Sequence, residues 1–297
     1  MTMGFLGFHR LAAAGVVAAL LAHPEGVTTQ APRSAQPATQ GTDGFVTVND
    51  IKLHYVDWGG TGPALLFLTG LGDSAHAFDA LATKFTDRFH VRGLTRRGQG
   101  QSDKPQSGYD PRSLAEDIRA FIDLLKIDRV TLVGFSAAGS EETKFAGLYP
   151  DRVNSLVYLD AAEDYKSGRE LATNPRSKYP LPLPEFDGPI GAIVRGAEEA
   201  DPDYTKIGAP ALAFFTIYAA PYIPDDVDEA LRARLVKRWD EYGNPFQRQK
   251  IDHFRRDMKY GQVIELRNTD HGDFVRDQNF QSYLVREMRR FLLDGTP

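Results

Sequence analysis

A serine with small neighbours stands where a strand-like stretch gives way to a helical one. Residues 129–153 read RVTLVGFSAAGSEETKFAGLYPDRV, an apolar run typical of a buried strand followed by a helix-forming segment. A tight turn at that point imposes strained backbone angles, which only small neighbours such as Gly134 and Ala138 tolerate. The hydroxyl of Ser136 would then stand at the N-terminus of a helix, where the helix dipole favours developing negative charge. The sequence therefore predicts that Ser136 is a nucleophile.

A serine hydroxyl is a weak nucleophile unless a base accepts its proton and a carboxylate orients that base. His271 follows the last predicted strand and is flanked by Asp270 and Gly272. His271 is thus one candidate for this base. The other six of the seven histidines lie near the N-terminus or on predicted strands and helix faces, where a structural role is the simpler interpretation: His9, His23, His54, His76, His90 and His253.

Strand-like and helix-like segments alternate from residue 45 onward. FVTVNDIKLHYVDWG predicts two strands joined by an Asn-Asp turn, while ALLFLTG and RVTLVGF are continuous apolar runs typical of strands buried on both faces. AHAFDALATKFTDRF predicts a helix, and DPRSLAEDIRAFIDLLKI predicts another that Asp110 caps and Pro111 begins. Alternating strands and helices indicate an α/β protein with a mostly parallel sheet covered on both faces.

Four motifs occur along this pattern: LTGLGDS, LTRRGQGQSDKP, GFSAAG and NTDHGDF. In this order they resemble the α/β-hydrolase fold family, and the resemblance covers nearly all of residues 45–297. It implies an eight-stranded, mostly parallel sheet with helices on both faces and a small lid between strands 6 and 7. It also implies that His271, in NTDHGDF, is the catalytic base and that the backbone N–H groups of Leu71 and Ala137 form an oxyanion hole. The chain departs from the family pattern at Ala138, where a second glycine is usual, and at Thr69, where a histidine is common.

The resemblance allows two positions for the carboxylate that orients the histidine. In many members the acid follows the seventh strand, where this chain offers Asp225 and Asp226. A second arrangement places it at the end of the preceding strand, where Asp160 stands, with Glu163 and Asp164 just beyond. We favour Asp160 because a catalytic triad is defined by its geometry and not by chain position.

The identity of the predicted nucleophile, a serine, limits the classes of reaction that the chain is expected to catalyse. Epoxide hydrolases and haloalkane dehalogenases resemble this chain but carry an aspartate at the position of Ser136. A serine implies an acyl-enzyme mechanism, and the predicted substrates are carboxylic esters of small or medium apolar acyl groups. A proline-type aminopeptidase, another amide, lactone or C–C hydrolase, and a catalytically weak ligand-binding protein of the same fold remain the alternatives.

Composition excludes several other classes of protein. Hydrophobic residues make up 42% of the 297 residues and charged residues 25%, as in an ordinary globular protein. The net charge of −5 and scattered basic residues argue against nucleic-acid binding. The chain has no cysteine, and neither a nucleotide-binding glycine motif nor histidines and carboxylates at ligand spacing occur. We therefore predict a small-molecule substrate and no cofactor or metal.

The N-terminus carries an unbroken apolar run at residues 11–22, too short to span a bilayer but of the length of a signal-peptide core. Residues 23–43 are rich in Pro, Gln, Thr and Ala, a composition that favours disorder. We predict a signal peptide at 1–22, a disordered linker at 23–43, and a hydrolase domain at 44–297 with a lid at 161–207. The mature protein would be exported, in the periplasm or outside the cell, without a membrane span.

Overall fold

The structure is a computed structural model that describes residues 41–173, 178, 186–200, 202–221, 223, 227–267 and 269–294. The predicted signal peptide, nearly all of the predicted linker and part of the predicted lid lie outside these residues. Within the described ranges, no helix has the length and apolar character needed to cross a membrane.

An eight-stranded sheet forms the centre of the fold, with the strand order β1-β2-β4-β3-β5-β6-β7-β8. β1 pairs with β2, and β2 with β4, in antiparallel fashion, whereas all other neighbours are parallel. This arrangement confirms the predicted mostly parallel sheet. The strands are β1 (Thr42–Val48), β2 (Ile51–Gly59), β3 (Ala64–Leu68), β4 (His90–Leu94), β5 (Val130–Phe135), β6 (Val153–Leu159), β7 (Ala211–Ile217) and β8 (Gly261–Arg267).

Helices cover both faces of the sheet, as predicted. On one face, α2, α3 and α7 bury side chains such as Phe121, Phe145 and Phe254; on the other, α1 and α9 bury Leu81 and Met288. The helices are α1 (Asp79–Ala82), α2 (Pro111–Leu124), α3 (Ala138–Leu148), α4 (Tyr165–Ala172), α5 (Gly188–Glu198), α6 (Glu229–Arg238), α7 (Asn244–Asp257), α8 (Asp273–Arg276) and α9 (Gln278–Asp294).

Local sequence explains where several elements begin and end. Asn49 and Asp50 join β1 to β2 with φ values of 50° and 59°, as a two-residue hairpin turn requires. The carboxylate of Asp110 accepts hydrogen bonds from the backbone N–H groups of Arg112 and Ser113, each at 3.1 Å, and so caps α2. Both features agree with the sequence analysis.

Two expectations are corrected. The single helix predicted over AHAFDALATKFTDRF is divided into three short consecutive helices: a 3₁₀ helix at Ala75–Phe78, α1, and a 3₁₀ helix at Thr83–Phe85. The hydroxyls of Thr83 and Thr86 bind nearby backbone carbonyls there. The predicted linker 23–43 extends too far. Thr42 and Asp43 belong to β1, because they pair with Asp57 and Val56 of β2. The segment between β6 and β7 contains α4 and α5, and its role as a lid stays a prediction.

A buried ion pair fixes the loop after β4 to α2. Arg97 donates two hydrogen bonds of 2.6 Å to the carboxylate of Asp117, and both side chains are at most 8% exposed. Asn49 also donates to this carboxylate, at 2.9 Å. The ion pair therefore links the β1–β2 hairpin, α2 and the β4 loop.

Replacing Asp117 with asparagine keeps the shape of the side chain but leaves the buried guanidinium of Arg97 without a counter-charge. We expect Asp117→Asn to lower the free energy of unfolding by about 3–5 kcal/mol, measured by urea denaturation. Asp123→Asn is the matched control on the same helix, because Asp123 is 40% exposed and its ion pairs should contribute less than about 1 kcal/mol. Equal losses in the two variants would contradict the assignment.

Candidate active site

Ser136 lies at the carboxyl end of β5, directly before α3. Its φ is 57°, a left-handed conformation that a residue with a Cβ rarely adopts. Its N–H donates to the carbonyl oxygen of Leu159, at 3.2 Å, which holds the turn against β6. Small residues make this turn possible: a Cβ on Gly139 would overlap the carbonyl oxygen of Ala161, and one on Gly134 would overlap the carboxylate of Glu142.

Asp160 follows β6 and also has a positive φ, 47°. One carboxylate oxygen accepts a 2.7 Å hydrogen bond from Nδ1 of His271, and the other accepts the N–H of Thr216 at 3.0 Å. Burial alone would raise the pKa of Asp160, but the hydrogen bond from His271 and the charge of Lys250 outweigh burial and lower it. Asp160 is therefore a buried carboxylate that stays ionised.

His271 is held on three sides in the loop after β8. Its backbone N–H donates to the hydroxyl of Tyr218 at 3.1 Å, and its ring stacks on Phe135 with centroids 4.8 Å apart. Since Nδ1 faces Asp160, Nε2 carries the lone pair of the neutral ring. Within the described part of the chain, both Nε2 of His271 and Oγ of Ser136 are buried without a hydrogen-bond partner. Unpaired buried polar atoms of this kind point to a bound ligand or a catalytic role.

The loop after β3 carries the predicted oxyanion donor Leu71 and is anchored by Arg96. Arg96 donates to the carbonyl oxygen of Thr69 at 2.8 Å, and its other terminal nitrogen lies 3.5 Å from that of Gly70. In a trans peptide the carbonyl and the following N–H point in opposite directions. Because the Gly70 carbonyl points toward Arg96, the N–H of Leu71 points away from Arg96.

Arg96 is in turn fixed by Glu141 on the first turn of α3. Nε of Arg96 donates to Glu141 at 2.7 Å, and both residues are nearly inaccessible to solvent. This ion pair connects the loop after β3 to the helix that follows Ser136. The sequence analysis did not assign either residue to the site, because their spacing gives no signal before the strands are assembled.

Among the described residues, the other candidate acid of the triad makes different contacts. Asp164 accepts a hydrogen bond from the N–H of Ser167, and Nδ1 of His253 lies 3.6 Å from its carboxylate. Asp160 is thus the candidate acid that contacts His271, whereas Asp164 is paired elsewhere. Asp225 and Asp226 lie outside the described residues.

A buried ion pair also lies close enough to Asp160 to act on its carboxylate. Glu163 contacts the ammonium of Lys250 on α7, and both side chains are largely buried. Burial alone lowers the pKa of Lys250, but the carboxylates of Glu163 and Asp160 raise it above its ordinary value. Lys250 therefore supplies positive charge near Asp160. No motif in the sequence marks this lysine, since its role depends on how α7 packs.

Comparison with known proteins agrees with this architecture. A family model described as alpha/beta hydrolase fold matches residues 63–197. The AB hydrolase superfamily protein YisY of Bacillus subtilis (strain 168) is 32% identical over 254 residues, covering 77% of this chain and 92% of that protein. The chain belongs to the α/β-hydrolase family.

Other proteins are similar to this chain over shorter stretches or in fold. A 2-(acetamidomethylene)succinate hydrolase of Mesorhizobium japonicum (strain LMG 29417 / CECT 9101 / MAFF 303099) is 37% identical over 101 residues, covering 34% of this chain and 36% of that enzyme. The chain covers only 30% to 36% of the length of the first curated relatives that it matches. The crystal structure of E-2-(acetamidomethylene)succinate hydrolase has a TM-score of 0.58 at 21% identity, covering 86% of this chain and 100% of that chain. The similarity to this crystal structure supports the fold assignment.

The left-handed backbone at Ser136 predicts a measurable strain. Ser136→Gly and Ser136→Ala both remove the hydroxyl, but only alanine keeps a Cβ at a φ of 57°. We expect the glycine variant to be more stable than the alanine variant by about 1 kcal/mol, because glycine adopts this conformation freely. Urea denaturation of the two variants measures the difference. An alanine variant as stable as the glycine variant would show that the turn is not strained.

The lowered pKa of Asp160 predicts how its contribution to stability depends on pH. A carboxyl group whose pKa is lower in the folded state stabilises the protein above its unfolded pKa, which is about 3.9 for aspartate. That contribution is lost as the pH falls through the folded pKa. We therefore expect the difference in unfolding free energy between the wild type and Asp160→Asn to shrink as the pH falls below about 4. A difference that keeps growing below about pH 4 would contradict the lowered pKa.

Proposed function

We propose that this protein is a serine hydrolase that acts through an acyl-enzyme on carboxylic esters with small or medium apolar acyl groups. The observation that carries the proposal is the site around Ser136. Among the described residues, a buried hydroxyl of Ser136 and a buried imidazole nitrogen of His271, each without a hydrogen-bond partner, occur together with an Asp160–His271 hydrogen bond of 2.7 Å. A hydroxyl, a base and an oriented carboxylate are the groups that this chemistry requires.

The proposed reaction has two halves. In the first, Oγ of Ser136 attacks the ester carbonyl carbon while Nε2 of His271 accepts the hydroxyl proton, and Asp160 stabilises the resulting imidazolium. The N–H groups of Leu71 and Ala137 stabilise the oxyanion. His271 then gives its proton to the departing alkoxide, which leaves as an alcohol. In the second half, a water molecule gives a proton to His271 and attacks the acyl-enzyme. The proton returns to Ser136 as the carboxylic acid leaves.

The rival reactions receive less support from the site. Ser136 stands where epoxide hydrolases and dehalogenases of this fold carry an aspartate. A proline-type aminopeptidase needs a carboxylate for the free amine of its substrate, and of the candidates Glu163 and Glu170, Glu163 is already paired with Lys250. Catalytically weak ligand binding is disfavoured because Ser136, His271 and Asp160 are all present and the last two are in contact.

Labelling with a fluorophosphonate tests the proposal, because the reagent reacts with an activated serine. We expect a stoichiometric adduct on Ser136 by peptide mass mapping, no adduct in Ser136→Ala, and labelling about 10²–10⁴ times slower in His271→Ala. His253→Ala is the matched control and should label at the wild-type rate, since His253 contacts Asp164 and Asp257 instead.

Measuring the turnover of two classes of substrate distinguishes the ester and aminopeptidase alternatives. Short-chain aryl esters should be turned over faster than an aminoacyl arylamide, and Ser136→Ala should abolish that turnover. Folded wild-type protein that forms no adduct would contradict the proposed nucleophile. An adduct accompanied by preference for the arylamide would keep the nucleophile and replace the ester by the aminopeptidase alternative.

A further inference from the structure

Three side chains far apart in the sequence point their polar atoms at one another on the β1 side of the sheet. Nε2 of His54 lies 2.9 Å from Oδ1 of Asp43, and Nε2 of His76 lies 2.8 Å from the same oxygen. One donor atom from each of the three residues lies within 4.8 Å of the other two. Among the described residues, Asp43, His54 and His76 form the one such group of histidines and carboxylates.

The outer nitrogen of each ring is held by a separate partner. Nδ1 of His54 lies 2.8 Å from Oγ1 of Thr95, a hydroxyl oxygen that also accepts the N–H of Ala75 at 2.9 Å. Nδ1 of His76 lies 3.0 Å from the carboxylate of Asp79. These contacts orient both rings so that Nε2, and not Nδ1, faces Asp43.

Trp58 fixes the carboxylate of Asp79, the residue that contacts Nδ1 of His76. Asp79 accepts a 2.9 Å hydrogen bond from the indole N–H of Trp58, a residue of β2 that is 7% exposed. Metal-binding histidines commonly donate their outer N–H to a carboxylate, which raises the basicity of the nitrogen that binds the metal. Here the carboxylate of Asp79 contacts Nδ1 of His76, while Nε2 of His76 faces Asp43, so the three residues match this arrangement.

We propose that Asp43, His54 and His76 bind a divalent metal ion of the zinc class. Two imidazole nitrogens and one carboxylate oxygen are ligands that Zn²⁺ accepts, and three protein ligands leave a fourth position open to water. The charges also match. With both rings neutral, the carboxylates of Asp43 and Asp79 balance the two positive charges of the ion.

The distances allow the ion to enter with small movements. Ligand atoms at about 2.0–2.1 Å from a tetrahedral zinc ion lie about 3.3 Å from one another, so each imidazole nitrogen would move about half an ångström away from Oδ1 of Asp43. The side chains of Asp43 and His76 are 50% and 39% exposed and are free to make this adjustment, while His54 is fully buried and stays fixed. Binding would connect the start of β1, the middle of β2 and the segment after the Leu71 loop.

The sequence predicts no metal because the ligands do not recur at motif spacing. Asp43 is 11 residues from His54 and 33 residues from His76. Asp43 was also assigned to the disordered linker. The cluster forms only because β1 pairs with β2, which places Asp43 on the edge of the sheet beside His54.

Equilibrium dialysis of the untagged, full-length, metal-stripped protein against Zn²⁺ tests the proposal at about pH 8, where histidine is largely neutral. We expect one ion per chain, and with Co²⁺ as a substitute the intense visible absorption of a tetrahedral site. His76→Gln and Asp43→Asn should each weaken binding at least about 10-fold and abolish the Co²⁺ spectrum. Both variants replace partly exposed residues and are expected to fold. Circular dichroism and thermal melting verify their folding.

Two further variants separate a built site from adventitious binding. Asp79→Asn leaves all three ligands in place but weakens the partner of His76, and should reduce affinity about 10–100-fold. His90→Gln is the matched control, because His90 contacts the carboxylate of Asp57 at 3.0 Å without a second histidine, and it should bind as the wild type does. Wild-type protein that binds no zinc, or His76→Gln that binds as tightly as the wild type, would overturn the proposal.

Discussion

The register of three parallel strands is the constraint on which the site depends. Phe135 of β5 pairs with Leu159 of β6, and Leu159 pairs with Phe214 of β7. Ser136 and Asp160 are each the next residue, and both leave the sheet with a positive φ. A register shift of one residue would turn every side chain of a strand to the opposite face. The strand pairing thus brings the candidate nucleophile and the candidate acid to the same edge of the sheet.

Hydrogen bonds across the strand ends hold these two turns in place. The N–H of Ser136 donates to Leu159, and that of Asp160 donates to the carbonyl oxygen of Phe214 at 3.0 Å. The side chain of Asp160 then accepts the N–H of Thr216, so its free orientations are limited before His271 contacts it. A carboxylate positioned in this way can fix the histidine ring at little additional cost in conformational entropy.

The buried charges around the site occur as connected pairs. Arg96 with Glu141 supports the loop of Leu71, while Lys250 with Glu163 stands behind Asp160. Isolated buried charges would be costly, and pairing offsets much of that cost. The two pairs lie on different elements, so the packing of α3 and α7 against the sheet decides the electrostatics of the site.

The sequence alone determined the type and order of the main elements and the motif around Ser136. Apolar runs identify buried strands, the Asp110 cap identifies the start of α2, and glycine and alanine identify the strained turn, because each signal depends on neighbouring residues. His271 and Asp160 were predicted through the family resemblance, with Asp164, Asp225 and Asp226 kept as alternatives. The tertiary structure brings Asp160 into contact with His271 and places Asp164 in a different contact.

Only the tertiary structure could bring together Arg96 with the carbonyl of Thr69, Lys250 with Glu163, and Asp43 with the two histidines. Each of these contacts joins residues from different elements, whose separation along the chain carries no periodic signal. Asp43 shows the difference most clearly. Its neighbours in the sequence have the composition of a disordered segment, but hydrogen bonding to β2 orders the strand. Pairing with a distant partner decided its conformation, and local composition could not.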